Sequence, residues 1–158
     1  MRWRRGWLRR PVMGKAELSI EIEVPPERFL EVVQDYARYP EFLPDVKSIR
    51  LGARAGDAID VTYWLDARIQ LIEMTLRHER RSPLQLAWKL VRGDLFELDQ
   101  GSWTLRETAA GGTHATYSIE LRLAGKWPHS LERALTDQGL PSLLANFKAR
   151  AEKLFPKR

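Results

Sequence analysis

The sequence predicts an α+β fold in which a curved, seven-stranded antiparallel sheet wraps around one long C-terminal helix. Three observations carry this. Seven extended segments, most of them alternating apolar and polar residues, are joined by short turns. Two short helical stretches stand between the first of these and the other six. The only long amphipathic stretch lies at the end of the chain, residues 128–155.

The first strand runs from Glu17 to Val24, with Leu18, Ile20, Ile22 and Val24 on one side and Ser19, Glu21 and Glu23 on the other. Pro25-Pro26 ends it, and proline is tolerated in the first turn of a helix. Phe29, Leu30, Val32 and Val33 then form a helical stripe, and Asp35 to Leu43 reads as a second short helix closed by Pro44. The remaining strands are predicted at Val46–Leu51, Ala58–Leu65, Arg68–Glu79, Gln85–Val91, Leu95–Glu107 and Thr113–Leu123. In the last of these Ala115, Tyr117, Ile119, Leu121 and Leu123 share the inward parity. Ile69 and Leu71 have one parity while Ile72, Met74 and Leu76 have the other, so a β-bulge is expected near Leu71-Ile72. In the C-terminal helix Leu131, Leu135, Leu143, Leu144, Phe147, Ala151 and Leu154 recur at helical spacing, and Gly139 with Pro141 should kink it.

Composition narrows the classes of function. The chain has 158 residues, 44% hydrophobic and 30% charged, with no cysteine, so disulfides and thiolate chemistry are excluded. His78, His114 and His129 show no metal-ligand spacing, so no metal site is expected. No phosphate loop, dinucleotide fingerprint, GxSxG or HExxH is present, and no cofactor is called for. The net charge is +5, but residues 1–15 hold six positive charges and no acid, which leaves −1 for the rest. The body is therefore near neutral, and nucleic-acid binding is not expected.

The domain is expected over 16–156, with 1–15 as a basic tail. MRWRRGWLRR lacks the apolar run of a secretory signal. It reads either as a disordered extension or as a peripheral contact with an anionic membrane, through Trp3, Trp7 and the arginines. A cytoplasmic location, with or without membrane association, is the expectation.

One helix cannot fill the concave face of so large a sheet, so space between sheet and helix is expected, and its contents decide function. Tyr39, Phe42 and Leu43, with Pro40 and Pro44, fall at the rim between the second helix and second strand, as a gate over a cavity mouth or as plain packing. Tyr63, Trp88, Trp103 and Tyr117 are aromatic strand positions suited to an apolar pocket. Tyr63 shares the parity of Ile59, Val61 and Leu65, opposite to Trp64. Met74 faces inward, where its thioether adapts to varied shapes. Asp60, Glu73 and Arg77 fall on the solvent side, and no catalytic residue is assigned.

Residues 32–44, VVQDYARYPEFLP, resemble the signature of the coenzyme-Q-binding branch of the polyketide cyclase/dehydrase family, within the START-like helix-grip superfamily. The resemblance continues through Gly93-Asp94-Leu95-Phe96, Trp103, and the C-terminal helix carrying Phe147 and Arg150, over about residues 17–155. It implies a helix-grip (START-like) fold and a cavity for isoprenoid quinones, other lipids or aromatic polyketides. Tyr39, Phe42, Leu43, Tyr63, Met74, Trp88, Trp103, Tyr117 and Phe147 are the candidate cavity or gate residues. A carrier or chaperone of a hydrophobic molecule is expected rather than a catalyst. The alternatives are a polyketide cyclase/dehydratase and a ribosome-associating, toxin-like interaction module. Polar groups inside the cavity would favour the enzyme.

Overall fold

The computed structural model describes residues 13–67, 70–128, 130, 133 and 139–157. Strand β1 (Met13–Ile22) is followed by α1 (Pro26–Gln34), a 3-10 turn (Tyr36–Arg38) and α2 (Tyr39–Phe42). A meander then runs through β2 (Val46–Ala55), β3 (Ala58–Asp66), β4 (Leu71–Ser82), β5 (Gln85–Gly93), β6 (Phe96–Glu107) and β7 (Thr113–Leu123). Helix α3 (Gly139–Leu154) comes last. The sheet order is β1-β7-β6-β5-β4-β3-β2, antiparallel throughout, so β1 closes against the last strand. This is the predicted architecture.

Local chemistry accounts for the helices. Pro26 sits at the first position of α1, where no amide donor is needed, and Phe29, Leu30, Val32 and Val33 turn to the core. In α3, Leu140, Leu144, Phe147 and Ala151 are buried at steps of four and three, one face of a helix. That face packs along β1 and against α1 and α2. Phe147 is the hub, its ring meeting Phe29, Tyr39, Phe42 and Trp103 edge-on at 6.4, 5.4, 5.2 and 5.2 Å. Leu154, predicted in the apolar stripe, is exposed where the helix passes the edge of the core. Pro141 stands third in α3. The predicted kink cannot be followed further, because residues 131, 132 and 134–138 lie outside the described residues, as do Ile69 and the basic segment 1–12.

Strand parity is largely as expected. Ala115, Leu121 and Leu123 of β7 are buried, with Tyr117 and Ile119 half-buried. On β3 Tyr63 points inward, while Trp64 lies on the convex face under Arg50. The bulge is elsewhere than predicted. Pairing of β3 with β4 is unbroken from Ala58↔Glu79 to Asp66↔Leu71. In the β4–β5 pairing the extra residues are Val91 of β5, where Thr75 pairs with Arg92 but Leu76 with Leu90, and Arg81 of β4, between Arg80↔Leu86 and Ser82↔Gln85; neither lies beside Leu71. Leu71 therefore keeps its outward parity and is exposed, which removes the need for a bulge beside it.

One glycine is required by packing. Gly101 pairs with Trp88, and an added Cβ would lie 2.5 Å from Trp88 Cζ2 and collide with the Ser118 carbonyl. Its missing side chain lets the Trp88 indole lie across β6. Gly101→Ala should lower stability in urea by about 1–3 kcal/mol, the usual penalty for overpacking. An unchanged midpoint would show that the indole has room to move.

Candidate functional site: a cavity between sheet and helix

A cavity of about 180 Å³ lies between the inner face of β3–β7, the α1–α2 corner and α3. Of the nine sequence-predicted residues, Tyr39, Leu43, Tyr63, Met74, Trp88, Trp103, Tyr117 and Phe147 line it. Phe42 does not. It stands behind the wall, its ring 5.7 Å from Tyr39 and 5.2 Å from Phe147, with the Arg150 guanidinium 5.2 Å over its outer face. Arg150 also bonds Glu41 at 3.1 Å, so α2 is clamped to α3. Leu43 is only 5% exposed, part of the cavity wall as well as of the core.

The walls are mostly rings. Trp88 and Trp103 approach Tyr117 at 5.1 and 4.9 Å, and Phe29 braces Trp103 from behind at 5.3 Å. The Tyr39 hydroxyl donates to the Val33 carbonyl and is thereby spent inside the protein.

Two polar groups that sequence reasoning did not place here also line the cavity: His78 and Asp99. His78 is 6% exposed, with Nε2 2.7 Å from the Tyr63 hydroxyl, and the Tyr36 ring lies 4.4 Å from its imidazole. Its Nδ1 is buried without a hydrogen-bond partner among the described residues. Burial lowers its pKa to about 3, so the ring is neutral. Asp99 is 4% exposed, and its one hydrogen bond among the described residues is donated by Trp88 Nε1 to Oδ1 at 3.2 Å. Burial raises its pKa to about 7, a rise the Trp88 bond only partly opposes. Burial also pushes the Tyr63 and Tyr117 phenols upward, and the Asp99 charge adds to both.

Both residues were within reach of the parity argument. His78 continues the inward series Ile72, Met74, Leu76 of β4, and Asp99 begins the series Asp99, Gly101, Trp103, Leu105 of β6. From the sequence no catalytic residue is assigned, and neither group is placed at the cavity. Asp60, Glu73 and Arg77 do lie outside the cavity, and Asp60 with Arg77 forms a two-point ion pair at 2.7 and 3.1 Å.

A wider groove of about 760 Å³ opens between the end of β1, α1 and the C-terminal segment. Its rim carries Glu21, Glu23, Arg28, Lys148 and Lys157, partly paired with one another, and it lacks the ring-lined floor of the inner cavity.

A sheet gripping a helix around a ring-lined cavity defines the class: a helix-grip, START-like protein. A model of the polyketide cyclase/dehydrase and lipid transport family matches residues 13–152, and the chain belongs to that family. No protein of curated function matches it. Among solved structures it is similar to the Zhui aromatase/cyclase of Streptomyces sp. R1128, with TM-score 0.79 and 14% identity over 90% of this chain and 95% of that one. A Thermus thermophilus protein gives 0.78 and 20%, over 90% and 99%. A START superfamily protein of Mycobacterium smegmatis gives 0.78 and 17%, over 89% and 98%. At these identities the likeness is one of fold. No helix among the described residues is long and apolar enough to cross a membrane.

Asp99 sets a pH dependence. Its folded pKa of about 7 lies above the ordinary 3.8, so the native state holds a proton that the unfolded chain has lost between those values. Stability from this group therefore falls as pH rises from about 4 to about 7 and stays lower above. His78 acts oppositely, because the unfolded chain binds its proton below the ordinary 6.5 and the native state does so only near 3. Asp99→Asn should thus stabilise the protein at pH 8, by on the order of 3 kcal/mol, and leave it near wild type at pH 4. Thermal melts across that range check this. A variant less stable than wild type at pH 8 would mean that the carboxylate is well solvated.

Proposed function

We propose that this chain binds a compact hydrophobic ring compound of the quinone or polyketide type in the cavity between sheet and α3, and carries it. The observation that supports this most directly is the space itself, walled by Trp88, Trp103, Tyr117 and Phe147, which are too rigid to close it. An apolar cavity of ~150 Å³ is enough for benzene, and drug-sized ligands occupy ~300–1,000 Å³. The size here therefore suits one or two fused rings. A quinone head group fits that space, whereas a long isoprenoid tail would have to leave through the mouth beside Leu43.

The energetics suffice without a strong polar contact. Burying about ten carbons at ~0.8 kcal/mol each gives about 8 kcal/mol, or roughly micromolar affinity before ordering costs are subtracted. In this reading Leu43 forms the wall at the mouth, and Phe42 under Arg150 holds α2 in place behind it.

A second reading, a cyclase or dehydratase, is favoured by Asp99. A carboxyl whose pKa lies near 7, inside a ring-lined pocket, is suited to taking up and returning a proton. The family description and the aromatase/cyclase fold neighbour support keeping it.

Native mass spectrometry of the chain purified from its own source should show a bound adduct with the mass of a one- or two-ring compound. Ile119→Trp, which puts an indole into the cavity from β7, should remove the adduct while circular dichroism and melting stay close to wild type. A folded Ile119→Trp protein that retains the adduct would place the site elsewhere. Wild-type protein that takes up no ring compound at all would end the binding reading.

A further inference from the structure

We infer that the cavity selects ligands carrying a ring ketone or quinone oxygen, and that the Tyr63 hydroxyl is the donor that receives it, aimed by His78. This rests on the binding reading above and names the chemistry of what is bound.

The argument begins at His78 Nδ1, which is buried and has no partner among the described residues. A neutral imidazole carries one proton, on Nδ1 or on Nε2. Burial keeps this imidazole neutral. A proton on Nδ1 would bury an unpaired N–H against the Tyr36 ring. A proton on Nε2 instead leaves the Tyr63 O–H as the unpaired donor, so either tautomer strands one donor within the protein. Nδ1 is buried without a partner among the described residues, whereas Tyr63 lines the cavity, where an accepting occupant can relieve its O–H. With such an occupant the proton belongs on Nε2, donated to the Tyr63 oxygen 2.7 Å away.

That assignment fixes the phenol. The Tyr63 oxygen accepts from His78, so its own O–H must point to another acceptor, and no other hydrogen bond to it exists among the described residues. Tyr63 lines the cavity, and its phenol stays protonated because burial raises its pKa. The hydroxyl therefore presents a free donor to whatever occupies the space. An unsatisfied donor at a cavity wall favours a ligand oxygen that accepts, and rejects the same skeleton without one.

The rings of Trp88 and Tyr117 supply flat apolar walls for the remainder. Asp99, already tied to Trp88 through Oδ1, is protonated over much of its range and has no charge to offer a cation below pH 7. Below pH 7 the site thus favours carbonyls over amines.

Three ligands on one skeleton test this: 1-tetralone, tetralin and 1-aminotetralin, each titrated by quenching of tryptophan fluorescence at pH 6 and pH 8. Water holds a ketone more strongly than a hydrocarbon, so transfer alone favours tetralin. Wild-type protein should nevertheless bind 1-tetralone at least tenfold more tightly than tetralin. Tyr63→Phe should lose that preference and still bind tetralin. The carbonyl stretch of bound 1-tetralone should fall below its value in hexane. Nitrogen NMR of His78 with 1-tetralone bound should show a protonated Nε2 and a bare Nδ1.

Equal affinity of wild type for tetralone and tetralin would overturn the inference while leaving cavity binding intact. Failure to bind either would remove the binding reading and this one with it. A Tyr63→Phe protein that keeps the tenfold preference would overturn it. So would 1-aminotetralin binding more tightly than the ketone at both pH values. If Tyr63→Phe does not fold, the carbonyl stretch decides, and a value equal to that in hexane overturns the proposal.

Discussion

Everything in this fold is organised around the ring of Phe147, which meets four other rings edge-on at 5.2–6.4 Å. Those rings belong to α1, α2 and β6, so a single side chain of α3 joins every layer of the protein. Aromatic pairs prefer this perpendicular arrangement, because the positive edge of one ring meets the negative face of the next. The same preference keeps the layers apart. Aliphatic side chains in these positions could interdigitate and let α3 settle onto the sheet, whereas planar rings standing on edge act as spacers. The cavity is in this sense a by-product of how the helix is fastened.

A cavity held open in this way can contain polar groups only under strict conditions. His78 and Asp99 are each kept uncharged or tied to a neighbour. His78 is neutral through burial and bonded to Tyr63, and Asp99 is close to half-protonated near neutrality and bonded to Trp88. A buried polar group without a partner costs on the order of 1–3 kcal/mol, so the open valence at His78 Nδ1 is not a feature that packing would generate. The strongly paired charges are placed outside, as with Asp60 and Arg77 on the convex face. That division allows one sheet to be both a stable scaffold and a polarised pocket.

Much of this could be read from the chain before its structure, and the limits are physical. The alternation in β7 and the lone amphipathic C-terminal stretch specify the architecture, because sheet faces and helix stripes have fixed periods. Tyr63, Trp88, Trp103, Tyr117 and Met74, singled out in the sequence as aromatic or inward strand positions, lie on the cavity wall. The alternation also pointed to His78 and Asp99, but a polar residue at an inward position looks like an error of parity until its partners are known. Those partners are not local. Trp88 reaches Asp99 from a neighbouring strand, and only because Gly101 leaves room for the indole. Phe42 was misplaced for a related reason. A four-residue helix turns consecutive side chains to different sides, and only the clamp from Arg150 decides which one faces the cavity. No bulge forms at Leu71-Ile72; parity along one strand cannot distinguish a bulge from an apolar residue left exposed at the strand end.

Family membership and cavity chemistry therefore answer different questions. The seven strands, the α1–α2 corner and the gripped helix are shared by proteins only 14–20% identical to this one, so the scaffold tolerates almost complete replacement of its residues. What the scaffold imposes is a set of inward positions, every second residue on five strands, around a space that the helix leaves unfilled. A carrier needs those positions to be apolar and of the right volume. A selective binder needs one donor or acceptor left over after the protein's own hydrogen bonds are made. A catalyst needs, in addition, a group whose proton is loosely held. Among the described residues the rings bear on the first requirement, the Tyr63–His78 pair on the second, and Asp99, with its pKa raised to about 7, on the third.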